Sequence, residues 1–289
     1  MEKNWKSSVK IFILISFLFS WPIMFMIDGF LIHKLIANEK RAIALIILLV
    51  GHGLAMFGPM IASVLVQRKY LNKKYVFWTW GSIKNYIYIF LFFLISWIIP
   101  GIIGVLMGKF SFELNVEKYY YTYMIIYLFI VPFSGIGEEY GWSGFLLSYL
   151  PQFIGRTKAI ILSGAIRGLW HLPVLIGPYI YAYVNGSKSL IVLILMFIVF
   201  AIQLTISNIF LGAAFSYVWF KTKSIPLVGW FHFVVDLMRD FLTIIIIGYA
   251  SSTVAMLFAQ IPLLMIGSVF LEKTRKNEKI NLKQNFVKK

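Results

Sequence analysis

Residues 189–218 read SLIVLILMFIVFAIQLTISNIFLGAAFSYV, thirty consecutive positions without a charged side chain. A helix of about 20 such residues crosses the hydrocarbon core of a bilayer. Working outward, apolar stretches of spanning length lie near 11–33, 42–66, 85–107, 119–137, 157–178, 226–248 and 250–271. Together with 189–218 they predict an all-α, polytopic membrane protein of about eight transmembrane helices. Composition points the same way: of 289 residues, 60% are hydrophobic and only 13% charged, and the mean hydropathy is +0.84. That is more apolar surface than one water-soluble core can hide, so lipid must solvate most of it. Pro22, Pro132 and Pro173 fall inside helical runs, where neighbouring helices or water can re-satisfy the freed carbonyls.

The formal charge of +16 does not indicate a nucleic-acid partner. Lys and Arg sit in short clusters between apolar runs, with no soluble domain to present a basic face. Their placement instead orients the chain. With the N-terminus inside, nineteen Lys and Arg fall in inward segments and six in outward ones, with Arg167 and Arg239 left inside spans. This bias puts both termini in the cytoplasm and requires an even number of spans, in agreement with eight. Lys3, Lys6 and Lys10 before the first apolar run imitate a signal peptide, but the run continues to about Ile32 without a small-residue cleavage site and reads as a retained span. The chain has no Cys, which excludes disulfides and thiolate metal sites. Chemistry must come from Glu, Asp, His or a hydroxyl.

Ionisable side chains at membrane depth are expensive, and each is a functional hypothesis by default. Asp28, Glu138, Glu139, Asp236, Asp240, His171, His232, Arg167 and Arg239 are the ones placed there. Glu138 and Glu139 open GEEYGWSGFLLSYLPQF, which reads as a short helix continuing or kinking from span four and ending near Pro151. Adjacent residues on a helix point about 100° apart, so one glutamate can face a cavity while a structural partner holds the other. Standing alone, such a pair also fits a solvated helix end. His171 lies in IRGLWHLP, where a lone histidine would be a packing residue, but Arg167 sits one turn earlier on the same face. A buried guanidinium there requires an acid, and Glu138 or Glu139 is the natural partner. In WFHFVVDLMRD, His232 and Asp236 are spaced i, i+4 on one helix face, suited to orienting a base, lining an oxyanion site, ligating a metal or bridging two helices. His33 flanks a loop and His52 has no acidic neighbour in sequence; neither is assigned a role.

GEEYGWSGFLL, GLWHLPVL and SIPLVGWFHFVVD, in that order and spacing, resemble the three motifs of the CAAX prenyl protease and bacteriocin-processing (CPBP, Abi) family of intramembrane proteases. The resemblance covers roughly residues 119–247, and FGPMIASVLV upstream is similar to a segment common in the family. It divides the chain into N-terminal helices over 1–118, a catalytic core over 119–247, and a last helix with a basic tail over 248–289. The family pattern has an Arg four residues after the second Glu and an aromatic residue four before the first His. Here Ser143 and Arg167 stand at those places. We read Arg167 as the replacement guanidinium, holding Glu139 and leaving Glu138 free; without that compensation the chain would be a noncatalytic member.

The resemblance implies an intramembrane endopeptidase of the cell membrane. Glu138 and His171 would activate water, His232 would donate to the developing oxyanion, and Asp236, at a position that in many members is Asn, would fix the tautomer of His232. The implied substrates are membrane-associated peptides or proteins, with roles in bacteriocin or pheromone maturation or in self-immunity. Glu138, His171 and His232 could also hold a divalent metal such as Zn²⁺ with an open position; there is no HExxH spacing, and a metal-free glutamate mechanism uses the same residues. A noncatalytic immunity or interaction protein with the same cavity is the alternative. A small-solute transporter would also carry midplane charges, but the halves of this chain show no repeat.

Overall fold

The computed structural model describes residues 5–71, 78–112, 118–186, 189–247 and 253–287. Lys3, Lys73, Lys74, Lys188, Lys288 and Lys289, which contribute to the charge bias, lie outside these residues. The first span is α1 (Trp5–Met24), a π-helical segment Phe25–Leu31 and α2 (Ile32–Ala37). The second is α3 (Arg41–Ala55) and α4 (Gly58–Val66), and the third is α5 (Ile83–Leu106). The fourth is α6 (Lys118–Glu139), running through a π-helical segment, Tyr140–Leu146, the third after Phe25–Leu31 and Gln67–Leu71, into α7 (Leu147–Tyr149) and α8 (Pro151–Ile154). The fifth comprises α9 (Arg156–Trp170) and α10 (Leu172–Val184), the sixth α11 (Leu190–Thr222). Then follow α12 (Ile225–Ile245) and α13 (Thr253–Val287). β1 (Ser111–Phe112) and β2 (Ile246–Ile247) add a two-residue antiparallel pairing, Phe112 opposite Ile246, to an otherwise all-α protein.

Among the described residues, six helical stretches are long and apolar enough to cross a membrane: Trp5–Ile36, Arg41–Lys69, Ile83–Leu106, Tyr120–Ile154, Arg156–Val184 and Leu190–Thr222. They coincide with the first six expected spans. The seventh is a helix of 21 residues, α12, less apolar because it carries His232, Asp236, Arg239 and Asp240. The eighth coincides with the start of α13, which continues as one helix into the Lys- and Glu-rich tail; residues 250–252 of that expected span lie outside the described residues. Large apolar side chains project outward along the spans, among them Phe129, Ile191 and Val199, as lipid-facing helices require.

Local chemistry places the breaks. Pro173 lies in the first turn of α10, where its missing N–H has no helical partner to lose. The fifth span therefore divides at His171, which ends α9 and begins α10. Pro151 starts α8 instead of ending the helical path, which stops at Gly155 with φ of +81°. Small residues let α9 lie directly on α11: a Cβ on Gly164 would come 2.5 Å from Ile209 Cα, and one on Gly168 2.6 Å from Thr205 Cα. Such close backbone approach is how membrane helices pack without a hydrophobic driving force between them.

Two apolar clusters flank the helices that carry the ionisable groups. One contains Phe93, Trp97, Phe215, Phe231 and Val234; the other contains Phe12, Trp142, Phe145 and Trp170. Edge-to-face contacts join Phe12 to Trp142 at 5.4 Å and Trp142 to Trp170 at 5.9 Å. At the start of α9, the backbone N–H groups of Arg156 and Thr157 donate to the Glu278 carboxylate from α13. A carboxylate there satisfies amides that a helix N-terminus leaves open and complements its dipole.

Candidate active site

The end of α6 presents its adjacent glutamates to different surroundings. Both are fully buried. Glu139 Oε1 receives Arg167 Nη2 at 2.7 Å and faces His232 Nδ1 at 3.1 Å, while Ser143 Oγ donates to Glu139 Oε2 at 2.5 Å. Ser143 reaches back four residues from the π-helical segment, and segments of that kind recur at functional sites. Glu138 has no hydrogen-bond partner on either carboxylate oxygen among the described residues. Its nearest cations stand off, with Arg167 Nε 3.8 Å from Oε1 and His232 Nε2 3.8 Å from Oε2.

Arg167 is held in two further ways. Its guanidinium lies 4.8 Å from the centre of the Phe215 ring, a cation–π contact. Its Nη1 is buried without a hydrogen-bond partner among the described residues, a donor placed to receive a ligand oxygen. His232 stacks on the same Phe215 ring at 5.4 Å, and its Nε2 lies 3.3 Å from Asp236 Oδ2, one turn along α12. Arg239 closes the chain of charges, 3.0 Å from Asp236 Oδ1 and 2.6 Å from Asp240 Oδ1. Tyr127 donates to Asp240 Oδ2 at 3.0 Å.

These groups border a cavity of about 440 Å³ whose wall includes Glu138, Arg167, His171, His232 and Asp236. Residues of α6, α9 and α12 thus share one wall. Trp97 of α5, Asn208 and Phe215 of α11, and Leu263 of α13 also line it. His171 stands in the wall with its ring edge-on to Trp170 at 4.8 Å. Glu139 is not in the wall, which agrees with a structural partner for one glutamate and open space for the other.

Two features were not assigned from sequence. Ser143 is a direct hydrogen-bond partner of Glu139, and His52 lines the cavity with its Nδ1 2.8 Å from Asp28 Oδ2. The signal for the second was Asp28 itself, a carboxylate inside the first span that needed a partner. The metal set differs as well. Glu138, Glu139 and His232 each bring one ligand atom to within 4.8 Å of the others, a grouping that could hold an ion. His171, expected in that set, is replaced by Glu139.

An all-α polytopic membrane protein with a buried glutamate pair, one member of which shares a cavity wall with an arginine and histidines, is the class that fold and site define. The family model described as Rce1-like, type II CAAX prenyl endopeptidase Rce1-like, matches residues 120–238, a stretch that holds Glu138, Glu139, Arg167, His171, His232 and Asp236. A curated relative, CAAX prenyl protease 2 of Methanococcus maripaludis, is 28% identical over 138 residues, covering 47% of this chain and 45% of the relative. The chain spans about half the length of the curated relative it matches. Over residues 120–238 the chain is thus similar to Rce1-like CAAX prenyl endopeptidases.

Proposed function

We propose that the protein is a multi-pass intramembrane endopeptidase of the cell membrane, with residues 119–247 as its catalytic core. The observation that carries this is the division of labour between the two glutamates. Glu139 is held by Arg167, His232 and Ser143, whereas Glu138 is buried beside a cavity with both oxygens unpaired among the described residues. A desolvated carboxylate without hydrogen-bond donors is a base waiting for a proton. Glu138 takes a proton from water positioned with His171, and the oxygen of that water attacks the peptide carbonyl. The unpaired Nη1 of Arg167 is the donor for the oxyanion; His232, expected in that role, has its Nε2 3.3 Å from Asp236 and its Nδ1 3.1 Å from Glu139.

The donor set argues against a metal at this place. Both ring nitrogens of His232 face carboxylates, and the Arg167 guanidinium lies 2.7 Å from Glu139 Oε1, where a bound cation would be repelled. Our reading is a glutamate endopeptidase with no metal step.

The likeness to a protein named CAAX prenyl protease 2 and the lipid-embedded cavity support membrane-associated or lipid-anchored peptides as substrates. Maturation of bacteriocin or pheromone peptides, or self-immunity, is the biological role we infer from the family. The test compares peptide termini in membranes and medium from cells expressing wild type, Glu138→Gln or His171→Ala at matched levels. Termini present with wild type and absent with both variants are expected. An unchanged profile with an intact phenotype would overturn proteolysis in favour of a noncatalytic interaction or immunity protein.

A further inference from the structure

Asp28 and His52 lie outside the segment that matches the family, on the first and second spans. Asp28 is in the π-helical segment Phe25–Leu31, and its side chain is buried. A carboxylate at that depth is costly, and His52 Nδ1 answers it at 2.8 Å while Oδ1 has no partner among the described residues. A polar clasp between two spans would explain the contact, but not the place of the histidine. His52 lies in the wall of the cavity that holds Glu138, His171, His232 and Asp236.

The flanking residues fix that position. A Cβ on Gly51 would clash with Ile27, next to Asp28, and one on Gly53 would come 2.8 Å from Ile130 and 2.9 Å from Ser134 on α6, the helix that ends in the glutamate pair. The sequence Gly51-His52-Gly53 therefore wedges the imidazole between the carboxylate that orients it and the helix that carries the base. With Nδ1 turned to Asp28, Nε2 is the ring nitrogen left for the cavity.

Hydrolysis of a peptide bond needs a proton donor for the departing amine as well as a base for water. Glu138 serves water, and His171 stands with it. Both nitrogens of His232 face carboxylates, and arginine does not release protons in proteins. We propose that His52, oriented and charge-stabilised by Asp28, is the catalytic acid that protonates the leaving nitrogen. This rests on the proteolytic reading above. As water adds to the carbonyl, its proton passes to Glu138 and a C–O bond forms. The C–N bond then breaks as the Nε2 proton of His52 moves to the nitrogen, giving a carboxylic acid and an amine. The proton on Glu138 returns to His52 through cavity water, so one water is consumed and both side chains are restored.

The test exploits the leaving group. An amide nitrogen must be protonated to depart, whereas an alkoxide leaves a tetrahedral adduct with little help. Purified full chain in lipid nanodiscs is given two pools of internally quenched, S-farnesylated peptides with randomised residues around one bond, built as amide in one pool and as ester in the other. His52→Gln keeps a donor for Asp28, and Asp28→Asn keeps its shape. Each is expected to lower the ratio of amide to ester cleavage by about 10²-fold or more. Equal losses on both pools would overturn the assignment of His52 as acid while leaving proteolysis standing, provided Glu138→Gln abolishes both. A wild-type chain inert on both pools, or a Glu138→Gln chain as active as wild type, overturns the proteolytic reading and this proposal with it.

Discussion

Arg167 brings Nη2 to 2.7 Å from Glu139 Oε1 while its Nε stays 3.8 Å from Glu138 Oε1, so the guanidinium grips the second glutamate and leaves the first. Arg167→Phe alone should strand a buried carboxylate and cost about 3–5 kcal/mol, read as a lowered Tm in detergent together with lost activity. Ser143→Arg combined with Arg167→Phe delivers the guanidinium from the other helix, and recovery of both properties is expected. An inactive double variant would show that the two positions do not compensate.

The unequal partners of the glutamates predict unequal responses. Glu138→Gln removes no protein hydrogen bond and should leave Tm unchanged or raised while abolishing peptide cleavage. Glu139→Gln weakens the contacts to Arg167, Ser143 and His232, and should lower Tm by an amount corresponding to about 1–3 kcal/mol. Thermal melts of the two variants beside wild type check this, and matched melts would contradict the division of labour.

If no metal takes part, cleavage should survive prolonged treatment with EDTA or 1,10-phenanthroline. Activity that is lost to chelator and restored by added Zn²⁺ would reassign Glu138, Glu139 and His232 as a metal centre.

The close approach of α9 to α11 carries Arg167 and His171 into the cavity. Gly168→Val puts atoms where Thr205 Cα already lies 2.6 Å from a first carbon. Overpacking of this kind costs about 1–3 kcal/mol, and here it should also reduce cleavage by displacing Arg167. Unaltered cleavage and Tm would mean that the helices separate freely.

Much of this arrangement is legible in the sequence because membranes leave few ionisable residues to choose from. A buried Arg167 demands an acid, and the end of the preceding helix offers two; the i, i+4 spacing of His232 and Asp236 already places them on one face. That Arg167 takes Glu139 is the reading the family resemblance gives, whereas the contact of Ser143 with Glu139 comes from the Tyr140–Leu146 segment, and a π-helical stretch leaves no periodic mark. The break at His171 is foreshadowed by Pro173, but a proline inside an apolar run is equally compatible with a continuous, kinked span. Asp28 and His52 are 24 positions apart on different spans, and no local spacing rule joins them. Only the packing of α3 against its neighbours does so.

The carboxylate that closes the start of α9 comes from Glu278, 122 residues after Arg156. At a synthesis rate of ~5–20 residues per second, roughly 6–24 s pass between the appearance of those amides and the arrival of their acceptor. During that interval the helix bearing Arg167 and His171 is already present with a bare leading turn. The order of translation thus makes the tail the last part to be fastened, and a nascent chain has already synthesised the helices bearing Glu138, Arg167, His171 and His232 before the brace for α9 has been made.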